Sequence, residues 1–63
     1  MLSPINQMIA LSVMGKVESE TTIHRSLLKE DEGFMKLFTD LINGDYELND
    51  MSKKLVNYVN NHY

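Results

Sequence analysis

The sequence predicts an all-α protein: a small bundle of three short helices, or four if one acidic turn breaks the chain. Phe34, Leu37, Phe38, Leu41 and Ile42 fall at i, i+3, i+4, i+7 and i+8, which winds them onto one apolar stripe, while Lys36, Thr39 and Asp40 take the opposite side. Met51, Leu55, Tyr58 and Val59 repeat the pattern near the carboxyl end, with Val56 at its edge and Lys53, Lys54, Asn57, Asn60 and Asn61 facing water. Between these stripes, Asn43-Gly44-Asp45 is a helix stop and a reversal, with glycine suited to a left-handed position just past the last turn.

The first helix is expected from about Pro4 to Lys16 or Val17. Ser3 can cap free N–H groups and proline fits a first turn. At 100° per residue, Ile5, Met8, Ile9 and Val13 make one stripe, Ala10, Met14 and Val17 make a second beside it, and Leu11 lies further round. Two readings follow from that surplus of apolar surface. Either this is a central helix covered on both sides by the others, or one stripe faces this chain while Ala10, Met14 and Val17 face a second copy or a partner. Ile9, Leu11 and Val13 also alternate as a strand would, but no second strand-like run exists to pair with them.

Glu18 to Thr22 is polar and rich in capping residues, so it reads as a loop with a cap at Ser19, Thr21 or Thr22. A second helix follows with Ile23, Leu27 and Leu28 on its apolar side. Asp31 and Glu32 suit a helix start better than a helix end, because carboxylates are favoured at the positive amino-terminal pole. Yet Ile23, Leu27, Phe34, Phe38 and Leu41 stay in phase across Gly33. A break at residues 30–33 is favoured over one continuous helix of about 30 Å. Tyr46 to Leu48 is expected to be a linker or early turn, Asn49 or Asp50 to cap the last helix, and Asn60 to Tyr63 to fray.

Sixty-three residues make one small domain with one core. At this size burial barely exceeds conformational entropy, so a staple is expected. No cysteine is present for a disulfide or a thiolate metal site, which leaves tight helix packing and oligomerisation, and a homodimer is expected. The short, cysteine-free chain with its Asn and Lys is of the sort expected from a bacterium or its phage.

The net charge is −3 and the pI about 5.1, with Lys16, Arg25, Lys29, Lys36, Lys53 and Lys54 scattered rather than clustered. Nucleic acid is therefore not the expected partner, since counterion release needs clustered positive charge. The apolar run from Met8 to Met14 has no positive charge ahead of it and is too short to span a bilayer, so no membrane association and a cytoplasmic location are expected.

No catalytic residue, metal site or cofactor is expected. Glu20 and His24 share a helix face at i, i+4, but zinc needs three or four ligands and the second histidine is 38 positions away. Glu30, Asp31 and Glu32 are better suited to a solvated turn or to contact with a basic partner than to acid–base work, which needs a partly dry cleft. Phosphate loops and nucleophile–base pairs are lacking. Met35 lies about 100° from Phe34, off the main stripe, and with Leu28 is expected to form an exposed apolar edge.

The expected function is that of a non-enzymatic regulator or adaptor that binds another protein through a helical face. Ala10, Met14, Val17, Leu28, Met35, Glu30, Asp31 and Glu32 are the candidate contacts. The alternative is a helix-turn-helix-like DNA-binding accessory protein, with Phe34 to Ile42 as supporting helix and Lys53 and Lys54 on the reading helix.

Overall fold

The computed structural model describes residues 4–63, and among these every regular element is a helix: α1 (Pro4–Thr21), α2 (Arg25–Glu30), α3 (Glu32–Asn43) and α4 (Leu48–His62). The expected Ser3 cap lies outside the described residues. α1 packs most extensively on α4, α4 also packs on α3, and the short α2 bridges α3 and α1. The bundle measures 30 × 21 × 17 Å.

The core is where the two clear stripes meet. Phe34, Phe38, Leu41 and Ile42 of α3 are buried, as are Met51, Leu55 and Val59 of α4. Val13, Met14 and Val17 of α1 and Leu28 of α2 close it. The rings of Phe34 and Phe38 stack with centroids 6.0 Å apart, and Tyr58 meets Phe34 edge-on at 6.0 Å. Among the described residues the one buried polar side chain, Ser52, is satisfied by donating to the Leu48 carbonyl at 2.9 Å. Leu37 and Tyr58 are half-buried at the margins of their stripes.

The acidic turn is a true break. Asp31 ends α2, with its N–H donating to the Leu28 carbonyl, and begins α3, with its Oδ1 accepting from the Phe34 N–H at 3.0 Å. A carboxylate that both caps the helix and meets its positive pole outweighs the phase continuity across Gly33.

Several boundaries differ from expectation. α1 runs through the polar segment Glu18 to Thr21, because that segment has partners: Glu18 accepts from the Arg25 backbone N–H at 3.0 Å and from its Nε at 2.7 Å, and Thr21 Oγ1 donates to the Val17 carbonyl at 2.6 Å. The helix stops at Thr22, whose φ of 61° is left-handed. α2 is capped not by Ser19, Thr21 or Thr22 but by His24, whose Nδ1 accepts from the Ser26 N–H at 3.2 Å. Leu27, placed by periodicity on the apolar side, is exposed, since only Leu28 of this six-residue helix points into the core.

Gly44 does end α3, but in extended backbone (φ −89°) rather than the left-handed state. Its missing side chain makes room for Tyr46, whose ring would lie 2.7 Å from a Cβ there. α4 begins after Glu47, without a side-chain cap from Asn49 or Asp50. Asn49 is engaged instead by Lys16, whose Nζ donates to its Oδ1 at 2.8 Å and ties the middle of α1 to the start of α4. The final residues hold their helix through His62, whose ring stacks on Tyr58 with centroids 4.0 Å apart. Tyr63 donates its hydroxyl to Asp31 Oδ2 at 2.7 Å.

Candidate protein-binding surface

α1 is apolar on nearly every side, so its sequence does not say which side turns inward. Packing decides: Val13, Met14 and Val17 enter the core, with Ile9 and Ala10 against it. On a helix this leaves Ile5, Met8 and Leu11 together on the far side, each three residues on from the last. They are exposed at 70%, 70% and 63%. Gly15 falls one turn beyond Leu11, and a Cβ there would meet nothing within 4 Å. The outer side of α1 is thus bare, unbranched by any charge from Pro4 to Gly15, and open.

Leu11 also borders a groove of about 300 Å³ between α1 and the α2–α3 pair. Its apolar lining comes from Ala10, Leu11, Met14, Met35 and Phe38. Gln7, Arg25 and Lys29 complete it, and none of its lining residues is acidic. Arg25 and Lys29 stand at i, i+4 on α2, so their side chains leave the same helix face. Arg25 Nη2 lies 2.6 Å from Glu18 Oε1, and the bonds from the Arg25 side chain and backbone hold the Glu18 carboxyl below its ordinary range. Among the described residues that is the one salt bridge.

The sequence-derived contacts divide on this geometry. Val17 and Leu28 are fully buried and Met14 is 4% exposed, so these three belong to the core and not to an outer face. The stripe Ala10–Met14–Val17 is the inward one, because α4 and α3 supply the apolar surface that covers it. Ala10 and Met35 are half-buried and meet at the groove. Leu28 and Met35 therefore do not form one exposed edge. Glu30 and Glu32 are exposed, whereas Asp31 is half-buried and committed to Phe34, Tyr58 and Tyr63. The N–H of Phe34 first, and then the Tyr63 hydroxyl, hold its carboxyl below the ordinary value.

Lys53 and Lys54 are exposed on α4, with Lys54 Nζ 5.9 Å above the Tyr46 ring. No three acidic or histidine side chains among the described residues come together as a metal site, and no described helix is long and apolar enough to cross a membrane. Reading the sequence missed Ile5, Met8 and Leu11 as the bare side, and Arg25 and Lys29 as a pair. The second had a signal, two cations one helical turn apart in an acidic chain. The first had none, since an all-round apolar helix has no preferred direction.

Comparison with known protein families, with curated proteins and with solved structures gives no match to this chain.

Proposed function

We propose that this chain is a non-enzymatic regulator or adaptor, cytoplasmic and homodimeric, that acts by binding another protein through a helical face. The observation that carries the reading is the bare side of α1, where Ile5, Met8 and Leu11 stand 63–70% exposed beside a groove. Burying one such side chain fully contributes roughly 1.5–3 kcal/mol, and contiguous apolar surface of this kind is what interaction sites present.

A second copy is the natural occupant of the outer side. The chain carries a net charge of −3, which weakly opposes self-association, whereas residues 1–15 hold no Asp, Glu, Lys or Arg. Gly15 supports the same reading. Glycine inside a helix costs roughly 0.5–1 kcal/mol against alanine, and nothing among the described residues needs the space it leaves. A helix crossing close over Gly15 would need it. The DNA-binding alternative draws on Lys53 and Lys54 alone, and titration at physiological salt is expected to give no binding tighter than the roughly 10⁻⁴–10⁻⁶ M of non-specific contacts.

Sedimentation equilibrium at micromolar concentration tests the dimer. The wild-type chain should be dimeric and Leu11→Glu a folded monomer. A wild-type chain that stays monomeric and folded at about 100 μM would remove the homodimer from this reading.

A further inference from the structure

We infer that the groove between α1 and the α2–α3 pair seats an amphipathic helix of a partner protein whose flank is acidic. The inference rests on the protein-binding reading above and names the chemistry of the partner.

The groove's floor suits a helix. Met14 and Met35 are unbranched thioethers that adapt to inserted side chains, Phe38 gives a flat apolar wall, and Ala10 keeps the α1 side low. A helix laid in the groove beside α2 would present anchors at i, i+3, i+4 and i+7 to such a trough. No strand exists among the described residues, so an extended segment would find no sheet edge to join.

The rim selects the charge. The chain has nine acidic and six basic residues, yet the groove's lining includes two cations and no carboxylate; Glu18 offsets Arg25 from outside the lining, which leaves Lys29 as the uncompensated charge. Arg25 and Lys29 are separated by one helical turn, about 6 Å along the axis, which matches carboxylates spaced i, i+4 on a facing helix. Lys29 has no ion-pair partner among the described residues. Arg25 is held in place by Glu18 through Nε and Nη2, which fixes a guanidinium that has five donors in all.

A second copy does not fit this seat. α3 and α4 spend their apolar stripes on the core, and the bare side of α1 carries no charge to answer Arg25 and Lys29. The occupant is therefore a different chain, and the groove and the outer side of α1 meet at Leu11 without being the same site.

Fluorescence anisotropy with two labelled peptides tests this. Both are helical designs of about 16 residues with leucines at i, i+3, i+4 and i+7, one flanked by glutamates and the other by lysines. The wild-type chain should bind the glutamate peptide about tenfold more tightly at low salt, and the difference should shrink towards nothing at roughly 0.5 M salt. Lys29→Glu should reverse the preference. Ala10→Trp, which fills the groove from α1, and Met35→Lys should each lose both peptides while circular dichroism stays helical. Equal affinity for the two peptides, no binding of either at about 1 mM, or full binding by a folded Ala10→Trp would overturn the inference. Dimerisation is read by sedimentation, so a dimer that binds neither peptide fails here alone. A monomer that binds the glutamate peptide fails only as a dimer.

Discussion

The Tyr58 hydroxyl donates to Asp31 Oδ1 across 3.0 Å, and its oxygen occupies the space that a Cβ on Gly33 would need. One tyrosine near the end of α4 thereby meets both the residue that caps α3 and the glycine two positions later. Gly33→Ala should place its methyl against that hydroxyl and destabilise the fold. In a Tyr58→Phe background the obstruction is gone, and Gly33→Ala should instead stabilise by roughly 0.5–1 kcal/mol through helix propensity. A double-mutant cycle followed by thermal melting reads the change of sign.

The same cluster sets limits on pH. Asp31 has its folded pKa depressed below 3.8, so its contribution is complete above that value and is lost as pH falls through the depressed one. Glu18, depressed below 4.5 chiefly by its hydrogen bond from the Arg25 side chain, acts in the same direction. Tyr58 is raised above 10.0 by desolvation and then by Asp31, and Tyr63 chiefly by its bond to Asp31. Their contribution is complete below pH 10.0 and is lost as pH rises through the raised values. Melting temperature should fall at both ends of the range. Asp31→Asn should flatten the acid arm and bring tyrosinate absorbance in at lower pH, and an unchanged tyrosine titration would show that the cluster is not formed in solution.

Thr22 ends α1 with φ at 61°, where a β-branched side chain crowds its own backbone. Its N–H donates to the Glu18 carbonyl at 2.9 Å, which is the bond of a helix end usually closed by glycine. Thr22→Gly should therefore stabilise by about 1 kcal/mol. In a chain of this size that raises the melting temperature by roughly 4–8 °C.

Phe38 lies mid-stripe on α3, stacked with Phe34 on one side and lining the groove on the other. Truncation to alanine should cost roughly 3–5 kcal/mol. A domain of 63 residues has roughly 3–9 kcal/mol in total, so the variant should lose much or all of its stability and melt far below the wild-type chain by circular dichroism. A Phe38→Ala chain that keeps its melting temperature would mean that this ring serves the groove and not the core.

What could be read in advance follows from where the deciding interactions sit. The stripes of α3 and α4 combine an apolar side with a polar one, so Phe34, Leu41, Leu55 and Val59 announce their direction locally. Asp31 announced its cap by position, one residue before a helix whose amino-terminal pole favours carboxylates. The extension of α1 to Thr21 depends on Arg25, seven residues beyond Glu18, and the ordered end of α4 depends on Asp31, 32 residues before Tyr63. No local pattern records such pairings. For the candidate surface, Ala10 stands out on the second stripe of α1 and Met35 off the Phe34 stripe, and both border the groove. Leu11 comes to one groove with Arg25 and Lys29 only through the packing of α1 beside α2.

The orientation of α1 is decided most sharply by Met14 and Met8, two methionines six residues apart that the sequence alone does not distinguish. Met14 is 4% exposed and Met8 is 70% exposed. Met14→Asp should cost at least the roughly 2–5 kcal/mol of a buried methionine truncation, because it also places a carboxylate in the core without a partner. Met8→Asp should change stability by no more than about 0.5 kcal/mol, as surface substitutions do, while placing like charges on the proposed dimer face. Melting and sedimentation on the two variants together separate folding from assembly. The expected pair is an unfolded Met14→Asp and a folded, monomeric Met8→Asp. A Met14→Asp chain that folds normally and dissociates, beside a Met8→Asp chain that does neither, would mean that α1 is turned by about half a revolution and that Ala10, Met14 and Val17 face the second copy after all.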